Sequence, residues 1–114
     1  MDVEVEERQV RIALVTPSGR IDAFNAPELR ERAESIFNDG VRHIICDLSR
    51  TSFMDSAGLA VLVSLMKRAR QAGGDVRLVW PTAEGARRIL QLTKFDRVFD
   101  HFEDREAAVG SFVQ

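Results

Sequence analysis

Few residues in this 114-residue chain combine a reactive side chain with a setting that could use it. The stretch FMDSAGLAVLVSLMKRARQAGG, residues 53–74, brings Asp55, Ser56 and Gly58 together where a strand reads as becoming a helix. Such a corner can hold a catalytic serine, a phosphate cradle, a plain helix cap or a hydroxyl that another enzyme modifies. A hydrolase elbow places glycine on both sides of its serine, as G-x-S-x-G, because the strained turn leaves no room for side chains. Gly58 fits the downstream position, but Met54 stands upstream. The two histidines, His43 and His101, both fall in expected strands. An exposed or hydrogen-bonded ring is the simpler reading there, so no triad is expected.

The other chemistries fit no better. The corner lacks the G-x-x-x-x-G-K-[ST] pattern of a nucleotide loop, and no lysine stands where it could reach a phosphate. A phospho-accepting aspartate of the receiver type needs an acidic pair to hold magnesium and a lysine after the last strand. Asp22 is a single acid, and Lys94 precedes the last expected strand. No His/Cys cluster has zinc-site spacing. Cys46, the single cysteine, lies in the apolar run IICDL and reads as a buried structural thiol. No cofactor, no metal site and no catalytic activity are expected.

Composition narrows the partners. A formal net charge of −2, with bases spread among acids, gives no electrostatic reason to bind nucleic acid or an anionic membrane. The chain opens MDVEVEERQV, which lacks the charged-then-apolar pattern of a secretory signal. The stretch Leu59 to Met66 is far shorter than the ~20 apolar residues of a membrane helix. A reduced, cytoplasmic protein forming one domain over residues 1–114 is expected.

The elements that position the corner follow from periodicity. VEVE and QVRIALVT alternate loosely and predict two early strands around a polar EERQ turn, which argues against a purely parallel sheet. A helix follows in NAPELRERAESIFNDG, with Asn25 as N-cap, Pro27 in the first turn, Glu28 at capping-box spacing and Gly40 at the end. VRHIICDLS reads as a strand covered on both faces. The quoted helix then presents Leu59, Leu62, Val63, Met66 and Ala69 on one side and stops at Gly73-Gly74. DVRLVWP predicts a strand, TAEGARRILQL a helix from Thr82, DRVFDHF a short strand and DREAAVGSFV a terminal helix. Strands alternating with helices imply an α/β fold with mostly parallel pairing.

Within that frame, Asp55 or Ser56 can cap the helix. A cap does not explain Gly58, which costs about 1 kcal/mol against alanine inside a helix. Close approach of another protein would explain it. Modification of Ser56 fits as well: a phosphoryl group adds roughly −1.5 to −2 charge at a helix start that tolerates anions, so the fold survives while the surface changes sign.

The motifs GRIDAFNAPEL, VRHIICDLSRTSFMDSAGLAVLVSLMKRARQAGGDVRLV and ARRILQLTKFDRVFDHFED resemble, in order and spacing, the STAS domain family and within it the bacterial anti-sigma factor antagonists. The resemblance implies a single STAS-like domain, with a mixed, mostly parallel sheet of four to five strands, its first strand antiparallel, packed with about four helices. It implies that Ser56 is phosphorylated by a partner anti-sigma factor that is a GHKL-type serine kinase, and that a PP2C-type phosphatase resets it. Unphosphorylated antagonist would bind the kinase and release a sigma factor. Asp22, Asp55, Ser56, Ala57 and Gly58 would form the docking surface, with Asp22 in a loop beside the serine. Ala57 departs from relatives that carry a second hydroxyl there. The alternative is a scaffold subunit of a stressosome, lipid-transport or anion-transport assembly, which would bind without a switch.

Overall fold

In the computed structural model, which describes residues 1–6 and 9–113, the elements run β1 (Ile12–Val15), β2 (Gly19–Ile21), α1 (Ala26–Asn38), β3 (His43–Asp47), β4 (Thr51–Met54) and α2 (Ser56–Gln71). They continue as β5 (Asp75–Val79), α3 (Glu84–Leu92), α4 (Phe95–Val98), β6 (His101–Phe102) and α5 (Arg105–Phe112). Four strands form a sheet in the order β1-β3-β5-β6, and β2 and β4 form a separate two-stranded ladder. The fold is α/β with a parallel four-stranded sheet, the class expected.

β3 shows why the sheet takes this form. His43–Asp47 is an apolar run in which Ile44 and Cys46 join the main core while Ile45, between them, joins a second cluster. Successive side chains in a strand point to opposite faces, so both faces of β3 must be covered. The main cluster is shared with Leu29 and Ala33 of α1 and with Leu62, Met66 and Ala69 of α2. The second is roofed by Ala108, Val109 and Phe112 of α5. Burial pushes the Cys46 thiol up to about 12, so it stays protonated and inert near neutral pH.

Several expectations need correction. All strand pairings among the described residues are parallel, and β1 runs parallel to β3 with Ile12 opposite His43. Residues 3–6 form no strand, and part of the expected EERQ turn lies outside the described residues. Alternation alone does not hold a strand: Val3 and Val5 are exposed and have no face to bury against. β2 and β4 were not expected as separate strands; each is short, and neither has a strong apolar alternation. DRVFDHF splits into α4 and β6, with Lys94 at φ 61° breaking the chain before α4. The helices number five among the described residues.

α5 is fastened by a buried charge. Asp47 is 3% exposed at the end of β3 and accepts hydrogen bonds from Arg105 Nε (3.0 Å), Arg105 Nη2 (2.8 Å) and the Ser49 N–H (2.9 Å). Burial alone would raise its pKa, but the Ser49 and Arg105 hydrogen bonds outweigh it and hold the carboxyl below its ordinary value of 3.8. A carboxyl depressed in the folded state stabilises the fold fully above its unfolded pKa and loses that contribution as pH falls through the folded one. Asp47→Asn is therefore expected to lower the unfolding free energy by about 2 kcal/mol at pH 7. The gap from wild type should close as the pH drops below about 4. Urea unfolding of both chains at pH 7 and pH 3 checks this; an equal gap at both pH values would contradict it.

Candidate functional site

The corner between β4 and α2 is built around the carboxylate of Asp55. As N-cap of α2, with extended backbone (φ −100°, ψ −174°), it accepts through Oδ1 from the N–H of Ala57 (2.9 Å) and of Gly58 (3.1 Å). These are donors that the first turn of a helix cannot satisfy internally. Its Oδ2 accepts from the N–H of Ala23 (3.2 Å), in the loop between β2 and α1. Its own N–H donates to the Ile21 carbonyl at 3.1 Å. One residue thus joins two loops that lie more than thirty positions apart in the chain.

Ser56 is exposed at the first position of α2. Its hydroxyl makes no hydrogen bond among the described residues. The cap is Asp55, so the hydroxyl is free for other work without cost to the helix. His43 and His101 do not join it. The His43 ring lies tilted against Phe112 with centroids 4.8 Å apart, and the His101 ring against Trp80 at 4.3 Å. Burial, with Arg42 and Arg77 alongside, holds His43 below its ordinary pKa, so it is neutral near pH 7. Among the described residues, no group of His, Cys, Asp and Glu is placed to hold a metal ion, and no helix is long and apolar enough to cross a membrane.

Asp22 lies in the loop that reaches the corner, but its carboxylate turns inward. Oδ1 accepts from the N–H groups of Phe24 (3.0 Å) and Asn25 (3.3 Å), and Arg20 Nε stands 4.0 Å from Oδ2. The contact between this loop and the serine corner is carried by Ala23 and Asp55. Asn25 occupies the N-cap position of α1 but does not cap it. Its Oδ1 accepts from the Asp22 N–H at 2.8 Å and its Nδ2 donates to the Arg20 carbonyl at 2.6 Å, closing the loop on itself. These ties make the loop rigid and leave Phe24 at its tip 95% exposed. Sequence reasoning did not single out Phe24; a lone aromatic between Asp22 and Asn25, in a turn-forming run, was the available signal.

Gly58 corrects an expectation. It is buried, and what comes close to it is the chain itself. A Cβ there would stand 2.9 Å from both Ile21 Cγ2 and the Ile21 carbonyl oxygen. Since that oxygen also accepts from Asp55, the backbone of β2 cannot retreat without loosening the corner. The glycine lets β2 and α2 touch and leaves no surface of its own for a partner. Gly58→Ala is accordingly expected to cost about 1–2 kcal/mol of stability by urea unfolding, despite alanine's higher helix propensity. A stabilised variant would show that Ile21 moves freely.

The sequence and fold are shared with known proteins. Residues 3–108 match the STAS domain family. The chain is 30% identical over 109 residues to the anti-sigma-B factor antagonist of Bacillus subtilis, covering 96% of this chain and 95% of that one. Its structure superposes on that of an anti-sigma factor antagonist from Mycobacterium paratuberculosis with TM-score 0.81 at 25% identity, over 95% of this chain and 91% of that one. The fold is also that of the Bacillus cell fate determinant SpoIIAA in its phosphorylated form, with TM-score 0.69 at 22% identity over 96% and 97% of the two chains. The chain belongs to the STAS domain family and is a relative of its anti-sigma factor antagonists.

Proposed function

We propose that the chain is an anti-sigma factor antagonist switched by phosphorylation of Ser56. In this reading the unphosphorylated protein docks on a GHKL-type serine kinase that serves as the anti-sigma factor, and so frees a sigma factor. The kinase phosphorylates Ser56 and the complex separates; a PP2C-type phosphatase restores the hydroxyl. The protein works in the cytoplasm and contributes no catalysis of its own.

The observation that carries the reading is the division of labour at the corner. Asp55 takes the helix cap, so the exposed Ser56 hydroxyl can be esterified without removing a structural hydrogen bond. A dianion there finds the Ala57 and Gly58 N–H groups already engaged and stands beside the Asp55 carboxylate. It must therefore project outward, where it alters docking and not folding. Asp55 and Ala57 flank the serine on the docking surface, while Asp22 holds the neighbouring loop in shape.

The test is intact-mass and peptide mass spectrometry after incubation with ATP and each candidate GHKL-type kinase from the same genome. One phosphoryl group on Ser56 of the wild type, and none on Ser56→Ala, is expected. Phosphorylation elsewhere, or none with any kinase, would remove the switch and leave a static scaffold.

A further inference from the structure

The groove beside Ser56 is largely apolar, and we infer that Phe24 is the anchor by which the partner kinase holds this surface, seated together with the groove between α1 and α2. The inference deepens the function proposed above and rests on it.

Phe24 is 95% exposed, yet its loop is fixed on both sides. Its own N–H and that of Asn25 go to Asp22 Oδ1, the Ala23 N–H goes to Asp55 Oδ2, and the Ala26 N–H goes to the Asp22 carbonyl at 2.8 Å. An exposed aromatic ring on a mobile loop loses conformational freedom when bound; a ring on a fixed loop has little left to lose. Aromatic side chains are enriched at the centres of protein interfaces. On either side of Phe24 in sequence, Ala23 and Ala26 line a shallow groove of about 490 Å³ with Pro27, Ala57, Ala60 and Val61. Small side chains make most of the groove, the charged Arg30, Glu31 and Glu34 line the rest, and Ala57 directly follows Ser56. Phe24 and Ser56 thus each sit one residue from a side chain that lines the groove, Ala23 and Ala57.

Its walls are held independently of any partner. Arg68 pairs with Glu34 and donates to Asn38 Oδ1 (3.3 Å), and Arg30 donates to Ser64 Oγ (3.0 Å), all between α1 and α2. The occupant that fits is a protein offering an apolar cleft for the ring and an apolar side chain for the groove. Adjacency to Ser56 assigns that occupant to the kinase, since the hydroxyl must reach the kinase's active site. The setting also gives the switch its direction. Covering a hydroxyl costs little, whereas covering a phosphoryl dianion beside Asp55 and a groove whose acids, Glu31 and Glu34, outnumber its one base, Arg30, strips its water with no net counter-charge in return.

The experiment uses the kinase that phosphorylates Ser56 in the assay above. Calorimetric titration of that kinase with wild type and Phe24→Ala should show affinity reduced about 30-fold or more in the variant. The unfolding midpoint should stay unchanged, because the side chain is exposed. Sedimentation of the wild type alone should give a monomer. Affinities within twofold of each other would overturn the inference while leaving the antagonist function intact. A wild-type dimer that Phe24→Ala converts to monomer would overturn it in favour of a second copy as occupant. A wild type that is phosphorylated but forms no measurable complex would overturn both readings.

Discussion

Asp55→Ala is expected to lower the unfolding free energy by about 2–4 kcal/mol, the largest loss foreseen for any single change at the corner. Three N–H groups lose their acceptor at once: Ala57 and Gly58 at the start of α2, and Ala23 in the β2–α1 loop. Loss of an N-cap costs about 0.5–2 kcal/mol, and a hydrogen bond to a charged group contributes about 1.5–3 kcal/mol. Asp55 is half-buried, so water replaces part of what is lost and the sum falls short of simple addition. Asp55→Asn keeps one acceptor oxygen and can serve either α2 or the loop, so about half the loss is expected. Urea unfolding checks both, with the midpoint shifted and the slope unchanged. Ser56→Ala should stay within about 0.5 kcal/mol of wild type, since its hydroxyl is not the cap. An Asp55→Ala variant as stable as Ser56→Ala would show that the carboxylate is not the joint.

How far this corner could be read in the sequence depends on the range of its interactions. Met54-Asp55-Ser56 followed by an apolar 3.6-residue rhythm marks a strand end, a cap and a helix, all local signals, and the structure places the helix there. The buried run of β3 and the glycine pair after α2 were equally legible. Which of two adjacent residues caps was not, because Asp and Ser both suit the position. Gly58 stands out in the sequence as a glycine inside a helix, but its cause lies outside the local pattern. Its neighbour is Ile21, 37 positions earlier, and β2 carries too few residues to show a strand pattern. The same range effect hid Phe24, whose rigidity depends on Asp55 across the fold. Val3 and Val5 mark the opposite failure, a local alternation with no tertiary surface to use it.

Phosphorylation of Ser56 is expected to weaken binding to the partner kinase by about 100-fold or more. Docking must cover the serine, because the same surface is presented for the chemistry. The unmodified hydroxyl is neutral and its desolvation is modest. The phosphoryl group brings roughly −1.5 to −2 charge. It stands next to a carboxylate whose Oδ1 and Oδ2 are already occupied by N–H donors, and beside a largely apolar groove whose charged lining, Arg30 with Glu31 and Glu34, is net negative. Ser56→Asp adds only about half that charge and a shorter reach, so a loss of about 10-fold is expected. Ser56→Ala adds none and should bind within about threefold of wild type.

Calorimetric titration of the partner kinase with wild type, Ser56→Ala, Ser56→Asp and stoichiometrically phosphorylated protein is the measurement closest to the central claim that this corner is a charge switch. The account predicts near-equal affinity for the first two, a partial loss for the third and the largest loss for the fourth. Equal affinity for all four would contradict it.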